Sequence, residues 1–309
     1  TRKTDGCLQE RSHKGNKINW RLGFKMNDKA LKTLEYTKIR ERLTAQALSP
    51  MGKEKCSALV PLDNISEIVR EQKETTEAVN MALKKGRLPL GGIKDIRSHL
   101  ERAEAGGVLA IDELMAVGEF LYVCRKVKNY SKQENKADTF PVLEDYFAIV
   151  KTINNVENEI NRCILNKQEI SDDASSGLRT VRREIRNANG SIRDKLNSII
   201  YSAAYKTMLQ DAVITIRNDR YCVPVRAEYQ SSFPGMVHDR SNTGSTVFME
   251  PTAVIQLNNK IKELQSKEKE EIEKILAELT SLVAENVDVM EANMNVIAHL
   301  DFVFAKAEL

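Results

Sequence analysis

The sequence predicts a mainly α protein: a multi-helical core, two long antiparallel helices, and a small antiparallel β unit inserted between them. Apolar residues recur at helical spacing over most of the chain. Two stretches, at about 174–209 and 252–285, sustain that spacing well past ordinary helix length. Between them the apolar period drops from about 3.6 to about 2, over β-branched residues and turn dipeptides. Composition agrees: among 309 residues 41% are hydrophobic, 29% charged and only 6% aromatic, which suits long helices in a soluble globular chain.

Taking the elements in order, Leu31, Leu34, Ile39 and Leu43 predict a first helical stretch. Ser49-Pro50 predicts a helix start with proline in the first turn, where its missing N–H costs nothing. Asn64-Ile65-Ser66-Glu67 has the spacing of a capping box. The helix it opens carries Ile68, Val69, Val79 and Leu83 and ends at Gly86. Turns follow at 88–93 and at Gly106-Gly107, and Asp112 opens a helix through Leu114, Val117, Leu121 and Val127. Residues 129–139 read as a polar connection, and 141–170 return to helical patterning. Residues 26–172 are therefore expected to form a helical core.

Residues 173–285 are expected to be built differently. Leu178, Val181, Ile185, Ala188, Ile192, Leu196 and Ile199 follow near-heptad spacing, as do Leu257, Ile261, Leu264, Ile272, Ile275, Leu279 and Leu282. A helix of roughly 33 residues reaches about 50 Å, longer than a compact domain is wide. The inserted β unit, at about 211–250, splits into two hairpins. One turns at Asn218-Asp219; the other, 236–239 with 246–249, turns at 241–245. Pro224, which lacks a ladder donor, suggests an edge strand. Residues 286–309 read as a helix returning to the core.

Charge is informative only locally. Of a net +3, residues 1–25 hold +5, leaving −2 for the rest. A global basic field is therefore no argument for nucleic acid. That basic stretch has no apolar core for a secretory signal, and Met26 follows it. It reads as a non-native or disordered extension, an upstream leader or remnant. No apolar run approaches the roughly 18 residues of a membrane span. The five cysteines, Cys7, Cys56, Cys124, Cys163 and Cys222, are far apart without a C-x-x-C pair, and read as idle thiols of a reducing cytosol.

Two patches carry candidate chemistry. Arg179, Arg182, Arg183 and Arg186 share one helix face, followed by Arg193 and Lys195, and guanidinium groups reach phosphate oxygens bidentately. The alternative is pairing with the return helix, through Glu263, Glu268 or Glu271. The β unit adds Arg217, Arg220, His238 and Arg240, with Asn242 and Ser245 in a small-polar hairpin tip of the kind that can sit against phosphates. Catalytic signatures are missing. Gly52-Lys53 lacks the earlier glycine of a phosphate-wrapping loop, and no nucleophile elbow or metal-ligand spacing occurs. No catalytic residue, metal ligand or cofactor site is expected in this segment.

Several separated motifs resemble the second-type bacterial MutS-like proteins of the DNA mismatch-repair MutS superfamily. They are Pro89-Leu-Gly-Gly-Ile-Lys-Asp-Ile96, Gly106-Gly-Val-Leu109 before Asp112-Glu-Leu114, Leu209-Gln-Asp211, Ile214-Thr-Ile-Arg-Asn-Asp-Arg-Tyr-Cys-Val-Pro-Val225, Pro234-Gly-Met-Val-His-Asp-Arg-Ser-Asn-Thr-Gly-Ser-Thr-Val-Phe-Met-Glu-Pro251 and Leu257-Asn-Asn259. The resemblance covers about 26–309. It implies a core, two lever helices and a clamp, from a protein lacking the mismatch-reading and connector domains. In that family an ABC-type ATPase that dimerises follows, usually with a C-terminal Smr nuclease. It also implies a cytoplasmic homodimer that binds branched or duplex DNA, ribosomal RNA, or both, with no membrane partner. ATP and Mg would belong to the longer parent, whose implied roles are suppression of recombination and splitting of stalled or collided ribosomes. The competing expectation is a coiled-coil dimerisation module without nucleic-acid contact.

Overall fold

A computed structural model of the chain describes residues 28–132 and 139–309. The basic extension at 1–25 and most of the polar connection at 129–139 lie outside the described residues. The helical core contains α1 (Asp28–Thr33), α2 (Tyr36–Gln46), α3 (Pro50–Ser57), α4 (Ile65–Lys85), α5 (Arg97–Glu104), α6 (Ile111–Tyr130), α7 (Pro141–Ile149) and α8 (Asn154–Cys163). A short hairpin, β1 (Ile164–Asn166) and β2 (Glu169–Ile170), leads into α9 (Ser176–Ile200). Then come β3 (Thr215–Arg217), β4 (Arg220–Arg226), β5 (Gly235–Arg240), β6 (Thr246–Pro251), α10 (Thr252–Ala284) and α11 (Val287–Glu308). The mainly α fold with an inserted β unit is the one the sequence predicts.

Local chemistry sets most boundaries. Ser49 caps α3, its Oγ accepting from Gly52 N at 2.9 Å with Pro50 in the first turn. Asn64 caps α4 by accepting from Ser66 N, and Gly86 ends it at φ 78°, a left-handed angle that favours glycine. The α3 start is also held from afar. Asp301 on α11 is buried, and its carboxylate accepts from Leu48 N, Ser49 N and Ser49 Oγ at 3.0, 2.7 and 2.6 Å. Gly52 permits that approach, since a Cβ there would lie 2.0 Å from Asp301 Oδ2.

Two hydrophobic clusters organise the chain. One joins α2–α8 around α11, with Phe120, Phe147, Leu114, Ile297 and Leu300 fully or nearly fully buried. It takes in the start of α9 through Leu178 and the end of α10 through Ile275, Leu279 and Val283. The second joins the other ends of the same helices, through Ala188, Ile192, Leu196, Val254 and Ile261, to Val223, Val225, Val247 and Met249 of the sheet. The two helices thus form an arm rooted in one core and carrying a second core at its far end. The 33 residues of α10 span about 50 Å at the usual helical rise.

Several expectations are corrected. The first helical stretch breaks at Glu35, whose φ of 52° separates α1 from α2. On α4 the buried residues are Glu74, Ala78 and Met81, whereas Val69, Val79 and Leu83 face solvent. Residues 164–170 form a hairpin rather than a helix. The first arm helix stops at Ile200 instead of about 209, because the following segment is recruited by the sheet. Leu209 bridges Val225, Gln210 N donates to Pro224 O at 2.9 Å, and Arg226 N donates to Met208 O at 2.9 Å. Pro224 is consequently not on an edge: β4 lies inside the order β3-β4-β6-β5. Its missing N–H is harmless, since the 209–210 segment needs only its carbonyl there.

Candidate nucleic-acid interface

The sheet at the end of the arm is strongly curled. β3 pairs only with Arg220–Cys222, while β6 pairs with the later part of β4, Val223–Arg226. The β3–β4 turn has Asn218 and Asp219 at φ 50° and 58°, the two positive angles of a type I′ hairpin. It bends across β6 to reach β5, the opposite edge. There Asn218 Nδ2 donates to His238 O at 2.9 Å, and Arg217 Nε pairs with Asp239 Oδ2 at 3.2 Å. The Arg217 guanidinium lies 4.1 Å over the Phe248 ring.

Glu250 ties this closure to the arm. Its side chain is 1% exposed. Oε1 accepts from Arg220 Nη1 at 3.1 Å and from Asn258 Nδ2 of α10 at 2.7 Å, and Oε2 meets His238 Nε2 at 2.6 Å. Asn258 also exchanges hydrogen bonds with the backbone of Tyr221, both at 3.3 Å. A buried carboxylate is tolerable only when so satisfied. Cys222 beside it is pushed up to about 11 by burial, then by the Glu250 charge, which leaves its thiol unreactive.

The hairpin between β5 and β6 is the distal tip. Gly244 turns it at φ 71°, and the hydroxyls of Ser241, Thr243 and Ser245 form a chain at 3.3 and 2.8 Å. Asn242 and Ser245 are exposed, as is Arg240, whose Nη2 donates to Gln230 Oε1 at 2.7 Å. Arg193 and Lys195 are exposed on the sheet-bearing half of α9, and Lys195 Nζ donates to Ala253 O at 3.3 Å.

The arginine face nearer the root has other business. Arg182, 19% exposed, pairs with Asp172 and Glu268 at 2.7 Å each and donates to Ile170 O at 2.6 Å. Partial burial pulls its pKa down, but Asp172 and Glu268 outweigh this and hold it above the ordinary arginine value. Asp172 is held below the usual aspartate range by Arg182 and then Arg186. Arg186 pairs with Asp172 at 3.2 Å, and Arg179 pairs with Asp173. Arg183 is exposed and makes no ion pair among the described residues. The expected pairing with the return helix thus holds for Glu268 alone; the main partners are two aspartates in the loop before α9. Glu271 instead meets Ser175 Oγ at 3.3 Å, packed so closely that a Cβ on Gly177 would lie 2.2 Å from it.

The site brings together Arg217, Arg220 and His238 around Glu250, and groups Arg240, Asn242 and Ser245 at the tip. It separates both from Arg179, Arg182 and Arg186 at the root. Phe248, Glu250 and Asn258 lie within the motifs at 234–251 and 257–259 but are not among the candidate site residues, since neither spacing nor charge pattern marks an acid buried under one strand.

No group of three or more His, Cys, Asp or Glu able to hold a metal occurs among the described residues. ATP and Mg do not fit the Gly52-Lys53 helix start. Its N–H groups are taken by Asp301 and Ser49, and a buried carboxylate sits where a phosphate would. No described helix is long and apolar enough to cross a membrane.

The fold is a helical body with a two-helix arm that carries a small, cation-bearing sheet at its far end. No model of a known protein family matches the chain. Curated relatives do. It is 47% identical over 289 residues to Endonuclease MutS2 of Lachnoclostridium phytofermentans. It is 42% identical to proteins of the same name from Alkaliphilus oremlandii, over 284 residues, and Acetivibrio thermocellus, over 285. Each match covers 92% of this chain and 36% of the relative, so the chain spans about a third of their length. Over that span the chain is a MutS2-like protein.

Proposed function

We propose that this chain is the core, lever and clamp of a MutS-like ATPase, and that the clamp grips nucleic acid by its backbone. The supporting observation is mechanical. The arm's far end has its own hydrophobic cluster and presents Arg193, Lys195, Arg240, Asn242 and Ser245 outward, where a phosphate can reach them. In this reading Arg217, Arg220 and His238 close the sheet, and Arg179, Arg182 and Arg186 brace the arm against the core. Two arms, brought together by ATPase domains of the longer protein, would enclose branched or duplex DNA or ribosomal RNA. ATP and Mg binding in those domains would swing the arms as rigid bodies. Such a cytoplasmic machine would split collided ribosomes and suppress recombination, and the relatives' name adds an endonuclease activity to the longer protein.

The test is binding to a labelled forked duplex and to a ribosomal RNA hairpin across a salt series. Replacing Arg193 and Arg240 by alanine should reduce the log–log salt slope by about 0.9 for each duplex phosphate no longer neutralised. The fourfold alanine change at Arg179, Arg182, Arg183 and Arg186 should leave the slope nearly unaltered while loosening the arm root. Binding with a slope indifferent to Arg193 and Arg240 would overturn the assignment. A second reading, a coiled-coil dimerisation module without nucleic-acid contact, draws on the internally paired arginines at the root. It requires the chain to self-associate and to bind neither probe.

A further inference from the structure

Away from the arm, a line of polar side chains runs across the helical core from the surface to a buried acid. Glu74 on α4 is 0% exposed. Its Oε2 meets His299 Nε2 at 2.9 Å, while Oε1 accepts from Tyr146 OH at 2.9 Å and Arg70 Nε at 3.1 Å. The other ring nitrogen of His299, Nδ1, lies 3.2 Å from Lys55 Nζ. An ammonium has only donors, so Nδ1 is the acceptor and the ring proton sits on Nε2, facing Glu74. Tyr146 packs against the imidazole at a tilt, with ring centres 4.5 Å apart, and Phe302 flanks it at 6.4 Å, which holds the ring in this orientation. Lys55 as a whole residue is exposed, while its ammonium end is partly enclosed by neighbouring side chains.

The geometry is that of an activated nucleophile: amine, proton acceptor, and a buried carboxylate that orients the acceptor. The surroundings of Lys55 act in the same sense overall, through burial rather than through the neighbouring charges. Burial of the ammonium lowers its pKa from the ordinary lysine value and Lys306 adds to this, outweighing the opposing pull of Glu74 and Glu71. More of the free amine is therefore present at neutral pH than on an ordinary surface lysine.

We propose that Lys55 is an acylation site that takes acyl groups from acyl phosphates, with His299 as proton acceptor and Glu74 as the residue positioning it. The ammonium passes one proton to His299 Nδ1. The amine nitrogen then forms a bond to the acyl carbon, and the bond from that carbon to the phosphate oxygen breaks with its electron pair leaving on phosphate. The amine's second proton ends on the departing phosphate, and His299 releases its own to water. The products are an uncharged amide and inorganic phosphate, and no redox partner is needed. The modification removes one positive charge where α3 meets α11.

The experiment incubates the full chain with acetyl phosphate at neutral pH and follows acetyl occupancy by peptide mass spectrometry. Lys53, exposed on the same helix, is the internal reference. Lys55 should be acetylated about three- to ten-fold faster than Lys53, the range a lowered pKa plus one proton acceptor supports. In concentrated urea the two rates should converge. His299→Gln, which keeps a hydrogen-bond acceptor but cannot take up the proton, should lower the Lys55 rate towards that of Lys53, leaving only the smaller advantage that its lowered pKa gives, and should leave Lys53 unchanged. Equal rates in the native wild type, an advantage that survives urea, or an unchanged Lys55 rate in folded H299Q would each overturn the proposal. Should H299Q fail to fold, the native-against-urea comparison on the wild type decides alone.

Discussion

Glu250→Ala should unfold the sheet at the arm's end and leave the helical core intact. The side chain is 1% exposed and holds Arg220, His238 and Asn258. Deleting it orphans groups contributed by β4, β5 and α10. Removing one member of a buried charged network costs about 3–5 kcal/mol. At about 1.4 kcal/mol per factor of ten, protection of the sheet amides should fall by roughly two to three and a half powers of ten. The loss should stay local, because no residue of the arm-end cluster belongs to the core cluster around Phe120 and Ile297. Buried Leu264, midway along α10, belongs to neither. Hydrogen exchange read by mass spectrometry on the full chain resolves the two regions. Residues 209–258 should exchange at the accelerated rate, or as freely as an unfolded segment, while α6 and α11 keep wild-type protection. Glu250→Gln retains an acceptor for Arg220 and Asn258 and should cost only about 1–2 kcal/mol. Equal loss of protection in α6 and in the sheet would refute the idea of two separable cores, and an effect on the sheet below about tenfold would refute the role given to Glu250.

Other outcomes can be checked on the same chain. Gly52→Ala places a Cβ 2.0 Å from Asp301 Oδ2 and should displace the carboxylate from its three donors, lowering the urea midpoint by the equivalent of about 2–4 kcal/mol. Burial alone would raise the pKa of Glu74, but hydrogen bonding and charge from His299, then Tyr146 and Arg70, take it from 4.5 down to about 2. Its stabilisation, on the order of 3 kcal/mol, is therefore complete above about pH 4.5 and lost as the pH falls towards 2; urea melts of wild type and Glu74→Gln should converge across that window. Burial pushes Cys56 up to about 11 and Cys124 up to about 12, so iodoacetamide at neutral pH should modify both far more slowly in the native chain than in urea.

What could be read from the sequence was whatever neighbours along the chain decide. Ser49-Pro50, Asn64, Gly86 and Asn218-Asp219 mark real boundaries because a cap or a tight turn is completed within four residues. The arm was legible for a related reason: the apolar stripe of α10 repeats through Leu257, Ile261, Leu264, Ile275 and Leu279, and only a long paired helix buries such a stripe. The change of period between the two arm helices announced the inserted sheet.

Packing settled where each side chain goes. The apolar period of α4 includes Val69, Val79 and Leu83, yet the buried face is the one bearing Glu74, Ala78 and Met81, because the hydrogen bonds to Glu74 from Tyr146 and His299 lie on that side. Four arginines on one face looked alike by spacing; the path of the loop at 172–173 places aspartates against Arg179, Arg182 and Arg186 and leaves Arg183 exposed. Glu250 gathers partners separated from it by 30, 12 and 8 residues, a convergence that no period encodes. Helix ends, turns and stripes are short-range and repeat, so local order along the chain is enough to specify them. Partner choice is long-range and happens once, so it emerges only when the chain has folded.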